Sequence, residues 1–336
     1  MTWPWSSPGS VISNIKKIPA EISMNIKNNL PKGKAGGYLA LGITSLVWGT
    51  TWVASKIGVA EIPALQMAYI RQFFGGMCFV VFFMLYKKLP FPTRKQFGWL
   101  LIMSLLMFVL ANGLSTWSLN FIPTGLSALV GALYPLSVVI IEMVFFKSRN
   151  MTVLTFLGLM LGITGIGIVF YENAFHKQPE GFFFGVTLSV IAMLSWSVGT
   201  LIIARNKLKL NPYYATGWQM LISSFILFVV AETTQPTVAI GNISATAWAA
   251  IAYLVLAGSL VAFIAFIYSM KKLPPAISSL YAYINPLVAM VTAAIILHEK
   301  LTMYIFWGAL VTLAGVFLVN YSIKRSNRKI IAEPEQ

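Results

Sequence analysis

The sequence contains no aspartate, one cysteine and two histidines, and only 10% of its 336 residues are charged. The missing aspartate excludes aspartyl proteases, aspartyl-phosphate ATPases and the Walker B site of a P-loop ATPase. Cys78 alone excludes an intramolecular disulfide, and His176 and His298 do not make a metal site by themselves. No clustered nucleophile and base is apparent either. We therefore predict no metal, no cofactor and no enzymatic activity.

Charge is scarce because 58% of the chain is hydrophobic. A soluble domain carries roughly 25% charged residues, whereas a mean hydropathy of +0.78 is typical of a chain surrounded by lipid. Ten apolar runs each reach the length of about 20 residues that crosses a hydrocarbon core as a helix. The sequence predicts an all-α integral membrane protein whose ten spans lie approximately at 38–57, 63–86, 97–119, 122–146, 151–171, 181–203, 212–231, 247–269, 274–298 and 302–323.

The basic residues predict the orientation of these spans. Short loops rich in Lys and Arg stay on the cytoplasmic side. With both termini inside, all but four of the 24 Lys and Arg residues are cytoplasmic; Lys56, Lys177 and Lys300 lie outside, and Arg71 lies within a span. The net charge of +15 therefore indicates topology and contact with the headgroups of the lipid bilayer. Because the bases are spread over separate loops, we expect no nucleic-acid partner.

The chain also repeats itself. The segment 122–136 returns as 273–287, and this pairs Pro135 with Pro286, while Trp48 matches Trp196 and Arg71 matches Gln219 at a slightly shorter offset. Each copy holds five predicted spans, and an odd number requires the second copy to enter the membrane from the opposite side. The predicted organisation is a basic tail at 1–34, a first repeat at 35–171, an inverted second repeat at 181–323, and a cytoplasmic tail at 324–336.

Short motifs recur in the same order in both halves. They are Ser45–Gly49, Tyr69–Phe73 and Ser127–Pro135 in the first half, and Ser195–Trp196, Gly217–Met220, Tyr268–Pro274, Asn285–Pro286 and Leu297–Leu301 in the second. Together they resemble the EamA-type drug/metabolite transporter superfamily, in its ten-helix form. One departure is Glu299, which has no acidic counterpart in the first half.

The resemblance implies a secondary transporter in the bacterial inner membrane that exports a small metabolite, such as an amino acid, by alternating access. An importer or a multidrug exporter of the same fold remains an alternative. From a different class, so does a lipid scramblase or structural membrane protein. A small-molecule substrate and the bilayer are the expected partners.

Polar and aromatic side chains follow single faces of several predicted spans. Lipid does not favour a hydroxyl, an amide and an aromatic ring on one line, so such a line indicates a cavity wall. Single hydroxyls in this pattern are also explained by bonds to their own helix. The residues that we predict to bind substrate on these grounds are Trp48, Thr51, Asn112, Tyr134, Trp196, Tyr281 and Asn285.

Arg71 is the most informative single residue, because it lies about eight residues inside a predicted span. A charge at that depth costs several kcal/mol unless it is paired. The functional interpretation is that its guanidinium attracts a substrate carboxylate, with Gln219 as the neutral counterpart in the second repeat. The structural alternative is a bond to helix-end carbonyls or to Glu142, which is also our candidate for proton coupling.

Two further features concern movement and assembly. Pro135 and Pro286 each remove a backbone hydrogen bond, and we predict that they act as hinges. A series of glycines allows close helix contact in the fifth and tenth spans, either as internal support or as a dimer face. The chain is therefore expected to be a monomer or a homodimer; the glycines are Gly158, Gly162, Gly165, Gly308 and Gly315.

Overall fold

The computed structural model describes residues 35–146, 152–174, 179–205, 210–273, 275–278 and 280–332. These residues form helices joined by short connections, and they contain no strand. The helices are α1 (Ala35–Val59), α2 (Ala64–Tyr86), α3 (Arg94–Ser118), α4 (Thr124–Gly131 and Tyr134–Phe146), α5 (Val153–Ala174), α6 (Phe182–Arg205), α7 (Pro212–Thr234), α8 (Ala245–Lys272), α9 (Tyr281–Ile296) and α10 (Met303–Ala332).

Seven of the described helices are long and apolar enough to cross a membrane, namely α2, α3, α4, α6, α7, α8 and α10. The apolar part of α5, Val153–Val169, and the whole of α9 are shorter apolar helices. The predicted all-helical architecture is therefore observed in the described part of the chain. The count of ten spans and their orientation stay predictions.

Polar residues placed just before a helix determine where three of these helices begin. The hydroxyl of Thr93 accepts the amide N–H of Gln96, whose side chain accepts the N–H of Thr93, and this pair caps α3. The side chain of Asn211 caps α7, and the hydroxyl of Ser244 caps α8. Each cap satisfies backbone donors that would otherwise be unpaired at the helix end.

Equivalent helices of the two repeats pack against each other in opposite directions. Near the start of α2, Leu65 shares an apolar cluster with Ala231 near the end of α7. Further along α2, a Cβ atom on Gly76 would lie 2.8 Å from the carbonyl oxygen of Gly217, near the start of α7. The two helices are therefore antiparallel, which is the relation that an inverted repeat requires.

The same relation joins α5 and α10, where the glycines form the contact. A Cβ atom on Gly158 would lie 2.7 Å from the carbonyl oxygen of Gly315, and one on Gly165 would lie 2.6 Å from that of Gly308. Backbone approaches backbone at both points, so neither glycine tolerates a side chain without a shift. These faces lie inside the chain as support, and they are not available as a dimer face.

The two predicted hinge prolines lie in different surroundings. The helix α4 is interrupted at residues 132–133, shortly before Pro135, whose ring removes the N–H that would bond to the carbonyl of Gly131. The second repeat is interrupted earlier: Pro275–Ser278 forms a short helix, Leu280 lies in a turn, and α9 then continues through Pro286. The helix is therefore interrupted before the proline in both repeats, but at a different distance from it.

Each repeat contains a segment of π-helix, which is wider than an α-helix, at an equivalent position. Residues Ser104–Gly113 of α3 and Leu254–Val261 of α8 form π-helix. Both segments come from the third helix of their repeat, and both supply residues to the cavity described below. Segments of π-helix are frequent at functional sites.

Candidate functional site

A cavity of about 200 Å³ lies between the two repeats. Its described wall comes from α1 to α4 of the first repeat and α6 to α9 of the second, whereas α5 and α10 contribute no residue to it. The wall combines small polar groups and aromatic rings with aliphatic side chains. The arrangement provides a concave surface for one small molecule at the boundary of the two repeats.

The structure brings together eight of the nine residues that the sequence singled out for substrate binding. Gln219 does not belong to this set, because the wall at α7 is formed by its neighbour Met220. Adjacent residues of a helix point about 100° apart, so a shift of one position removes Gln219 from the cavity. Pro286 belongs to the wall and Pro135 does not; the eight residues in the wall are Trp48, Thr51, Arg71, Asn112, Tyr134, Trp196, Tyr281 and Asn285.

Arg71 is a buried cation in this wall, with 8% of its surface exposed. Its Nε donates to the hydroxyl of Ser259 at 3.1 Å, while its terminal nitrogens have no hydrogen-bond partner among the described residues. No carboxylate in the described part of the chain forms an ion pair with it, so the alternative pairing with Glu142 is not formed. The guanidinium therefore retains N–H donors for a molecule in the cavity.

Gly258 makes room for this guanidinium. A Cβ atom at position 258 would lie 2.8 Å from Cγ2 of Thr51 and 3.3 Å from Nη2 of Arg71. The carbonyl oxygen of Gly258 also accepts the indole N–H of Trp48 at 3.2 Å. A single glycine in the π-helical segment of α8 thus lets α1 and α2 approach the same point.

A chain of hydrogen bonds that starts in the wall, at Gln72 and Asn112, links α2, α3 and α7. The amide nitrogen of Gln72 donates to the carbonyl oxygen of Phe108 and to Oδ1 of Asn112, both at 3.1 Å. The hydroxyl of Ser223 contacts Oε1 of Gln72. Sequence reasoning missed Gln72 and Ser223, although their place beside Arg71 and one turn beyond Gln219 was a usable signal.

Aromatic rings surround Trp48 on one side of the cavity. Its centroid lies 5.1 Å from those of Phe263 and Phe266 and 5.3 Å from that of Tyr281. On the next turn of α1, Trp52 donates its indole N–H to Oδ1 of Asn285 at 3.0 Å. These contacts join α1 to α8 and α9, so the rings both shape the cavity and connect the repeats.

Charged groups connect the repeats near the turn between α3 and α4. The carboxylate of Glu299 accepts the backbone N–H groups of Thr124 and Gly125, at 2.9 and 3.3 Å, where α4 begins. The ammonium group of Lys56 donates to the carbonyl oxygens of Leu119 and Ile122 in the same turn. Glu299 therefore caps α4, a helix of the other repeat, and places its negative charge at the helix N-terminus.

Serine hydroxyls join α3 and α4 to α6. Ser118, Ser127 and Ser189 are buried, and their oxygens lie 2.9–3.0 Å from one another. Beyond the interruption of α4, the hydroxyls of Ser137 and Ser197 form a second such contact. Spacing along the sequence alone did not predict that these hydroxyls meet.

Glu142, the candidate for proton coupling, lies away from the cavity. Glu142 is half-buried on α4 and does not belong to the wall, and His176 lies outside the described residues. Within the described ranges, no group of three or more His, Cys, Asp or Glu side chains is placed to hold a metal ion. The polar chemistry of the site is therefore that of one guanidinium, side-chain amides, hydroxyls and aromatic rings.

Comparison with known proteins identifies the family of this chain and supports its fold. The model of the EamA-like transporter family matches twice, at residues 35–171 and 183–321. The uncharacterized transporter YoaV of Bacillus subtilis is 25% identical over 85% of this chain and 97% of its own length. The uncharacterized inner membrane transporter YedA of Escherichia coli K12 is 30% identical over 74% of this chain and 79% of its own. One crystal structure, at 14% identity, matches with a TM-score of 0.60 over 87% of this chain and 99% of that one, which supports the fold alone.

Proposed function

Because the chain belongs to the EamA-like transporter family, we propose that it is a secondary transporter that exports a small metabolite, such as an amino acid, across the bacterial inner membrane. We propose ten spans with both termini in the cytoplasm, as the distribution of basic residues favours. The family consists of multi-pass membrane transporters, and several relatives are named transporters of unassigned substrate.

One observation carries the choice of substrate. Arg71 is a buried guanidinium that faces a cavity and has no carboxylate partner among the described residues. A buried charge of this kind costs several kcal/mol, and a substrate carboxylate that forms charge-assisted hydrogen bonds with it offsets the cost. A cavity of about 200 Å³ suits a molecule of amino-acid size. Trp48, Trp196 and Tyr281 then offer flat apolar surfaces to its side chain.

The packing of the repeats supports alternating access. The pairs α2–α7 and α5–α10 cross the boundary as antiparallel equivalents, and each helix that lines the cavity contacts the opposite repeat. Movement of one repeat against the other would open the cavity to alternate sides. The interruption at residues 132–133 gives α4 a point at which its two halves can change their angle, and we propose Pro135 as a hinge on this ground.

The decisive experiment is a flux assay in proteoliposomes with labelled amino acids, purines and organic cations, with and without a pH gradient. We expect saturable flux of at least one amino acid. Uptake in right-side-out and inside-out vesicles distinguishes export from import. Flux of cations but not of amino acids would favour a multidrug exporter. Rapid lipid flipping without flux of any solute would contradict the transporter function and favour a scramblase.

A further inference from the structure

The side-chain amides of the cavity have a fixed orientation. The atom of Gln72 that faces the carbonyl of Phe108 must be its NH2 group, because a carbonyl oxygen only accepts. The same NH2 group also donates to Asn112, so the Asn112 atom that it contacts must be the oxygen. The Nδ2 of Asn112 has no partner among the described residues, and Asn112 belongs to the cavity wall. Asn112 therefore offers N–H donors to whatever occupies the cavity.

The amide of Asn285, in the part of the wall formed by α9, also has a fixed orientation. An indole N–H only donates, so the atom of Asn285 that faces Trp52 must be Oδ1. Its Nδ2 likewise has no partner within the described chain. The indole N–H of Trp48 is bonded to Gly258. With the terminal nitrogens of Arg71, the cavity thus holds three nitrogen groups with N–H donors to spare.

Acceptors in the cavity are weak by comparison. The hydroxyls of Thr51, Ser115 and Thr116 donate their protons to backbone carbonyls of their own helices, so only their neutral oxygens remain. No carboxylate belongs to the described wall. A cation in this cavity would therefore meet Arg71 without a compensating charge, whereas an anion would meet a cation and two oriented amides.

We infer that the cavity selects its substrate by a carboxylate group held by Arg71 and Asn112, and that Gln72 and Ser223 are positioning residues that keep the Asn112 amide turned toward it. This inference rests on the proposed transport function and narrows it. It predicts that a molecule lacking the carboxylate is rejected even when its size and side chain are unchanged. Organic cations are therefore excluded as a class.

Three probes that share the leucine side chain distinguish the contribution of the carboxylate from that of the ammonium group. Leucine carries a carboxylate and an ammonium group, 4-methylpentanoate carries the carboxylate alone, and leucinamide carries the ammonium group alone. Binding to the purified full-length protein is followed by tryptophan fluorescence, since Trp48, Trp52 and Trp196 belong to the cavity wall. We expect leucine and 4-methylpentanoate to bind and leucinamide to bind at least about tenfold more weakly, as loss of a charged hydrogen-bond partner predicts.

Variants then test the positioning network. Asn112→Asp replaces the Nδ2 donor by a carboxylate oxygen, which accepts and repels the substrate carboxylate. We expect it to weaken the binding of 4-methylpentanoate by about tenfold or more, while leucinamide binds no worse. Ser223→Ala removes the hydroxyl that contacts Gln72, and we expect a smaller loss of carboxylate affinity. Ser224→Ala is the matched control, because Ser224 is also buried but donates to Leu221 of its own helix.

The carboxylate site is refuted if leucinamide binds as tightly as leucine. It is also refuted if the Asn112→Asp variant still prefers ligands with a carboxylate. If the Ser223→Ala and Ser224→Ala variants bind 4-methylpentanoate with equal affinity, Gln72 and Ser223 are not positioning residues. If the flux assay shows transport of amines or purines but never of a carboxylate, the transport function stands and this inference fails. If no solute is transported, both fail.

Discussion

Replacing Gly165 by alanine tests the close contact of α5 and α10, on which the symmetric frame rests. The new Cβ would lie 2.3 Å from Oγ1 of Thr312, 2.4 Å from its backbone nitrogen and 2.6 Å from the carbonyl oxygen of Gly308. Two of these three atoms are backbone, so the helices must separate. Overpacking of this kind destabilises by about 1–3 kcal/mol, and contacts this short place the value near the upper end.

Gly167→Ala is the matched control on the same helix, because a Cβ at Gly167 has no neighbour within 4 Å. Both variants gain the helix propensity of alanine over glycine, about 1 kcal/mol. Their difference therefore isolates the steric cost. The free energy of unfolding of the purified protein in mixed detergent micelles measures it. A Gly165→Ala variant as stable as Gly167→Ala would refute the backbone contact.

Three further predictions follow from the site. Glu299→Gln should lower the unfolding temperature, because a neutral amide caps α4 less well than a carboxylate, at a cost of about 0.5–1 kcal/mol; Glu61→Gln on an exposed loop should not, and equal shifts would contradict the cap. In a background without the native cysteine, Asn285→Cys should react with a water-soluble thiol reagent and be protected by substrate. The lipid-facing control Leu46→Cys should stay unreactive, and the reverse order would place the cavity elsewhere. Finally, Glu142→Gln should retain uptake, because Glu142 lies outside the cavity wall; loss of only the component driven by a pH gradient would instead assign proton coupling to it.

Much of the frame follows from the sequence because its causes are local. Apolar runs of sufficient length predicted helices, and matched segments around Pro135 and Pro286 predicted a duplicated chain, which the twofold family match confirms. The antiparallel contact of equivalent helices agrees with an odd number of helices per repeat. The sequence did not predict the π-helical segments of α3 and α8, because one wider turn leaves hydrophobic periodicity almost unchanged.

A residue's place in the cavity wall was predictable where its burial in lipid would carry a large energetic cost, and its role stays a prediction. Arg71 is expensive in lipid wherever its side chain points, so its depth in a span was a sufficient signal. Gln219 was chosen by repeat alignment, and a difference of one position on α7 places Met220 in the wall instead. The bonds of Gln72 to Asn112 and of Glu299 to Thr124 join distant segments. Such contacts depend on tertiary packing and carry no spacing signal.

The most direct test of the substrate site is the effect of Arg71 substitutions on transport by the reconstituted protein. Wild-type protein, Arg71→Lys and Arg71→Gln are compared for concentration-dependent uptake of the amino acid that gives the largest flux. We predict that Arg71→Gln raises KM by about tenfold or more, because a charged hydrogen bond to the carboxylate is lost, and that Arg71→Lys retains part of the affinity. An Arg71→Gln variant that inserts normally and transports with unchanged KM would contradict the assignment of the cavity.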